Sequence, residues 1–169
     1  MQIERLPRTV NPAKLAQRRI ELRGEIPLSD LDRLCQQLLG SEGQVALQLD
    51  FGSDKQGFTT IIGSVSAKVG VTCQRCMDKL MLDVTAKINL ALVADDEAAN
   101  ELPDRYEPIM AEDKGFLPLR ALIEDDLILA LPIIAYHETA CGFVDEDSKE
   151  IDIEVSKENP FSVLEVLKH

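Results

Sequence analysis

From Val45 to about Ala94, apolar and polar positions alternate with a period of two, as expected of strands with one buried face. The stretch "VALQLDF" alternates cleanly, and "GFTTIIG" and "SVSAKVGVTC" are rich in β-branched residues. The run "KLMLDVTAKINLALVAD" keeps Leu82, Val84, Ala86, Ile88, Leu90 and Leu92 in one register. Turn-rich segments at Gly52-Ser53-Asp54-Lys55 and from Gln74 to Asp78 would join these runs as antiparallel hairpins. The expected fold class is therefore α+β, with an antiparallel β-sheet over about residues 45–94 flanked by helices.

Outside that region the period lengthens to that of helices. Residues 12–20, "PAKLAQRRI", have helical composition, with Asn11 placed to cap and Pro12 at the first helical position. A second helix is expected from Ser29, in "SDLDRLCQQLLG", with Asp32 at the reach-back position of a capping box and Gly40 past the end. Leu31, Leu34, Cys35 and Leu38 would share its buried face, which makes Cys35 a small core residue and not a ligand. Leu119, Leu122, Ile123, Leu127, Ala130 and Leu131 recur at helical spacing, so a helix over residues 117–131 is expected, ended by Pro132. Glu124, Asp125 and Asp126 lie within it. Neighbours on a helix point about 100° apart, so these carboxylates read as a solvated face and not as a catalytic pair.

Charge divides the chain further. The net charge is −12, yet residues 1–23 carry Arg5, Arg8, Lys14, Arg18, Arg19 and Arg23 against Glu4 and Glu21. That basic N-terminal arm holds +4, leaving −16 for the rest. An acidic body repels polyanions, whereas the six cations of the arm are candidate phosphate-binding residues for RNA. Docking of the arm on its own acidic body is the competing reading. Residues 95–113 bring eight carboxylates against Arg105 alone and are expected as an acidic loop. A second acidic segment spans 143–158, and "NPFSVLEVLKH" offers a short C-terminal helix over 159–168. No composition break splits the chain, so 1–169 is read as a single domain.

The 4% aromatic content and lack of tryptophan require a core of Leu, Ile, Val and Ala. The apolar run Leu127–Ala135 contains Pro132 and falls far short of the ~20 residues of a membrane span. The opening "MQIERLPRTV" has no apolar core of a signal peptide. A cytoplasmic protein with no membrane partner is expected.

Candidate chemistry centres on the cysteines. Cys73 and Cys76 form a C-x-x-C in "VTCQRCM", between two strand-like runs. This pair could be half of a zinc site, a redox dithiol, or a hairpin tip that carries thiols. A thioredoxin-like dithiol needs a helix N-terminus after the first cysteine, and none is signalled at Met77, although Arg75 would favour a thiolate. His137 and Cys141, in "YHETAC", are the only usable second pair, and they would complete a structural Zn²⁺ site of four ligands. The zinc knuckle and the plain hairpin turn both remain open. Neither a phosphate loop, an H-E-x-x-H motif nor a nucleophile elbow is present, so no enzyme and no small-molecule substrate is expected.

"CQRC" after a β run, "LPDRYEPI", "IEDDLILALPIIAYH" followed by a Cys, and a closing "NPFSVLEVLK" occur in that order, after the opening "LPRTVNPAKLAQRR". Together they resemble the YceD family, the large ribosomal RNA subunit accumulation proteins of bacteria. The resemblance implies a non-enzymatic role in the synthesis, processing or stability of 23S ribosomal RNA. Its partner would be a ribosomal RNA precursor or a ribosomal or processing protein. An acidic interaction module for a basic protein is the alternative, and a C-x-x-C redox protein a third.

Overall fold

The computed structural model describes residues 6–111, 115–139 and 141. In chain order its elements begin with β1 (Thr9–Val10), α1 (Pro12–Gln17), β2 (Glu21–Pro27), a 3-10 turn (Leu28–Asp30) and α2 (Asp32–Cys35). They continue with β3 (Gln44–Ser53), β4 (Thr59–Thr72), β5 (Lys79–Val93), α3 (Asp96–Asn100), β6 (Glu107–Met110), β7 (Leu117–Pro118) and α4 (Leu119–Ala130). The main sheet has the order β2-β3-β4-β5-β6, antiparallel from β2 to β5, with β6 added parallel to β5. β1 and β7 form a small antiparallel ribbon. The α+β class read from the sequence holds, and β3, β4 and β5 are the three strands of the alternating region.

Alternation decides which sheet face is buried. Leu22, Leu49 and Ile88 are at most 1% exposed, and with Leu47, Val65 and Ala86 they form the apolar face. α1 packs on β3 and β4, α4 on β4 and β5, and α2 against α4, so the helices cover that face and close one aliphatic core. The opposite face carries the cross-strand row Arg23, Gln48, Ser64 and Lys87. Gly63 permits the closest approach in the sheet: a Cβ added there would lie 1.9 Å from the carbonyl oxygen of Gln48.

The first helix starts as expected. Asn11 Oδ1 accepts the Lys14 N–H at 3.0 Å, and Pro12 occupies the first position. It stops at Gln17, earlier than expected, because Arg19 adopts φ 49° and turns the chain into β2. Arg19 N–H returns to Ala16 O and Ile20 N–H to Leu15 O, the paired bonds of a left-handed helix end, with arginine in the usual place of glycine. From Leu6 onward the basic segment is built into the body: Leu6, Val10, Ala16 and Leu22 are core residues.

Other expectations are corrected. Ser29 caps nothing: a 3-10 turn occupies its position and α2 begins only after Leu31, with no local side-chain cap. α2 is short because the chain tightens after Cys35 and sends the Leu39 N–H to Gly70 O of β4 at 2.7 Å. Residues 95–113 are not simply a loop. Asp95 caps α3 through the Ala98 N–H at 2.8 Å, and β6 pairs with β5 so that Ile109 packs on the core. The 117–131 helix is α4, preceded by β7 and begun where the Leu119 N–H meets Arg8 O at 3.0 Å. It ends at Ala130, because Leu131 takes extended geometry before Pro132.

Glu124 is not part of a solvated face. Its Oε1 accepts the Arg33 and Leu34 N–H groups, the latter at 3.0 Å, and its Oε2 lies 3.1 Å from Arg33 Nε. The missing cap of α2 therefore comes from α4. Arg5, the 143–158 segment and the expected helix over 159–168 lie outside the described residues.

Candidate metal centre

The turn from β4 to β5 builds the first half of the centre. Cys73 N–H donates to Asp78 O at 2.8 Å and Met77 N–H to Cys73 O at 2.9 Å, which curls the main chain around the two thiols. Met77 pays for the curl with φ 65°, a left-handed geometry that a long side chain disfavours. Cys73 is fully buried and Cys76 half-buried.

After α4 the chain crosses the end of this hairpin as a strap without regular structure, through residues 131–139. Gln74 fastens it twice: its N–H donates to Ala135 O at 2.8 Å and its Nε2 to Ile133 O at 3.1 Å. Ala135, within the strap, is buried. The crossing delivers His137 and Cys141 to the knuckle, where Cys73 Sγ lies 3.6 Å from Cys141 Sγ and Cys76 Sγ 3.5 Å from His137 Nδ1. One ligand atom from each of Cys73, Cys76, His137 and Cys141 lies within 4.8 Å of the others. The two candidate ligand pairs, 61 positions apart in sequence from Cys76 to His137, thus form one Cys₃His group that could hold a metal ion.

Metal chemistry tests that fit. Tetrahedral Zn²⁺, with bonds of about 2.3 Å to sulfur and about 2.0 Å to nitrogen, sets S···S edges of about 3.8 Å and S···N edges of about 3.5 Å. The two close pairs match those edges. Electrostatics points the same way. Burial pushes the Cys73 thiol up, but main-chain hydrogen bonds at Cys76, Arg75 and His137 outweigh it and hold the group down at about 5. Burial likewise opposes ionisation of Cys141, which is nonetheless held below the usual thiol range by Arg75 and His137. Cys76 is drawn down by the main chain of Asp78, yet burial and its contacts with Cys73 and Cys141 drive it up to about 11. Each thiolate formed opposes ionisation of the next, and a dication is the species that removes this conflict. His137 is raised by its bonds to Cys141 and Cys73, whereas a metal would take its neutral form.

Arg75, between the two cysteines, reaches across to the strap. Its Nε lies 3.1 Å from Cys141 Sγ, and its Nη2 donates to His137 O at 2.9 Å and Thr139 O at 2.6 Å. Sequence reasoning gave Arg75 only a general effect on a thiolate, because carbonyl acceptors leave no trace in residue identity. The fourth cysteine, Cys35, stands apart as expected: its Sγ donates to Leu28 O at 3.2 Å, and burial raises its thiol.

Of the candidate RNA-binding cations, Arg8, Lys14, Arg18, Arg19 and Arg23 fall among the described residues. Lys14 and Arg18 line one groove beside α1, and Arg8 and Arg19 are exposed nearby in sequence. Arg23 lies on the uncovered sheet face, opposite the helices, where it is paired with Glu21. Among the described residues, no helix is long and apolar enough to cross a membrane.

The fold and the cluster define an α+β protein with a Cys₃His group at one end of an antiparallel sheet. The chain belongs to the YceD family. The family model described as "Large ribosomal RNA subunit accumulation protein YceD" matches residues 61–168. The large ribosomal RNA subunit accumulation protein YceD of Haemophilus influenzae is 33% identical over 172 aligned residues, which cover 99% of each chain. No solved structure matches significantly.

Proposed function

We propose that this protein is a non-enzymatic cytoplasmic factor for the synthesis, processing or stability of 23S ribosomal RNA, acting by binding RNA or a ribosomal or processing protein. The observation that carries the proposal is the 33% identity to a large ribosomal RNA subunit accumulation protein across 99% of both chains. Depleting the protein and measuring 23S relative to 16S RNA tests it. A selective fall in 23S, restored by the intact gene, is expected; unchanged 23S accumulation would refute it. Crosslinking on ribosomal precursors then separates RNA contacts from protein contacts. One observation favours a protein partner: Arg23, on the uncovered sheet face away from α1, is paired with Glu21. The −16 outside residues 1–23 would steer a basic protein toward this chain.

The proposal includes a structural Zn²⁺ held by Cys73, Cys76, His137 and Cys141. The ion would supply a closed four-ligand anchor between the hairpin and the strap, with no open position for catalysis. Elemental analysis after reducing, chelator-free purification is the check, with about one zinc per chain expected. Substoichiometric zinc under those conditions would remove the metal from the proposal.

A further inference from the structure

The C-x-x-C turn contributes more than two thiols. We infer that Arg75 is the positioning residue of the metal centre, closing the His137–Cys141 half-site onto the knuckle and balancing its charge. The inference rests on the zinc reading above and assigns a role within that site to a residue that is not a ligand.

Three acceptors define the role. The Arg75 fork meets His137 O, Thr139 O and Cys141 Sγ, so one side chain binds the strap at a ligand, between the ligands and at the second ligand. Among the described residues, that part of the strap belongs to no ladder or helix. The fastenings through Gln74, again among the described residues, lie upstream at Ile133 and Ala135, and it is Arg75 that holds the main-chain oxygens of His137 and Thr139. An H-x₃-C pair spans five residues that must be ordered for each metal bound, and a rigid planar donor offsets that cost better than a flexible ammonium.

Charge gives the second reason. Three thiolates, a neutral imidazole and Zn²⁺ sum to −1, at a place where Cys73 is fully buried. The guanidinium sits on the Cys141 sulfur and neutralises that excess where it falls. Donors to ligating sulfur and to the chain carrying the ligands are the outer contacts that set metal affinity in such sites. Glutamine at position 75 would lose both the charge and the fork; lysine would keep only the charge.

The test uses the full-length protein and its Arg75→Gln and Arg75→Lys variants. Zinc affinity is measured by competition with a chromophoric chelator, and ligand geometry by the visible spectrum of the Co²⁺-substituted protein. Circular dichroism confirms that the sheet persists. Arg75→Gln is expected to weaken zinc binding by about 10–100-fold and to broaden or weaken the tetrahedral Co²⁺ bands. Arg75→Lys should fall between the variant and the parent. A parent that binds zinc alongside an Arg75→Gln variant of equal affinity and identical Co²⁺ spectrum would overturn the inference and leave the metal site standing. A parent that binds no zinc would overturn both.

Discussion

Replacing Glu124 with alanine should destabilise the protein by about 2–4 kcal/mol, an effect traceable to three contacts. The Leu34 N–H is buried and has Glu124 Oε1 as its side-chain partner, so truncation strands it at about 1–3 kcal/mol. Loss of the second cap bond, from the Arg33 N–H, adds about 1 kcal/mol, since no local residue replaces it. The ion pair itself adds little. Arg33 is 53% exposed and keeps Asp125, itself 58% exposed, whereas Glu124 is only 10% exposed. Urea denaturation of the parent, Glu124→Ala, Glu124→Gln and Asp125→Asn separates these contributions. Glutamine preserves an acceptor and should cost about half as much as alanine, while Asp125→Asn should stay within about 0.5 kcal/mol of the parent. An alanine variant as stable as the parent, or no worse than Asp125→Asn, would refute the assignment of Glu124 as the cap of α2.

Three further perturbations have defined outcomes. Gly63→Ala should cost about 3 kcal/mol, read as a lower thermal midpoint, because its Cβ would meet the Gln48 main chain at 1.9 Å and backbone cannot swing aside. Met77→Gly should stabilise by up to about 1 kcal/mol in the same assay, since Met77 is 72% exposed and holds φ 65°. Half-buried Asp126 is raised to about 6 by burial, with Glu107 and Asp125 adding like-charge repulsion. Its folded pKa exceeds its unfolded one, so its contribution to stability is full below about pH 4 and declines as pH rises through 6. Asp126→Asn should therefore raise the denaturation midpoint at pH 7, with the gain vanishing by pH 4.

What the sequence made legible follows from how local each signal is. β3, β4 and β5 announce themselves through period-two alternation, and the cap at Asn11 lies three residues from the N–H that it accepts. β2 was missed because Gly24 stands between Leu22 and Ile26 and interrupts the apolar face. β6 was missed because it has four residues, one of them Pro108, and needs only the edge of β5 to form. Glu124 was misread because the N–H groups that it accepts lie about 90 positions away. The metal ligands were legible as types at workable spacing, but their convergence depends on the strap. The strap is fastened largely to main-chain oxygens, which residue identity does not encode.

The same strap predicts how loss of metal would propagate. α4 is anchored at its start by the Leu119–Arg8 bond and near its middle by Glu124 on α2, whereas the chain beyond it is held by the knuckle. β4 and β5 pair from Thr60–Ala91 to Thr72–Lys79, so their ladder persists without a metal and opening is confined to the turn and strap. The Gln74 N–H, bonded to Ala135 O, is the local reporter of that opening. Chelating the metal should speed hydrogen exchange at Gln74 by an order of magnitude or more, while amides of Val65 and Ala86 in the central ladder keep their protection. Equal acceleration at all three would show the centre to be integral to the global fold. No acceleration at Gln74 would show that the strap is held without the ion.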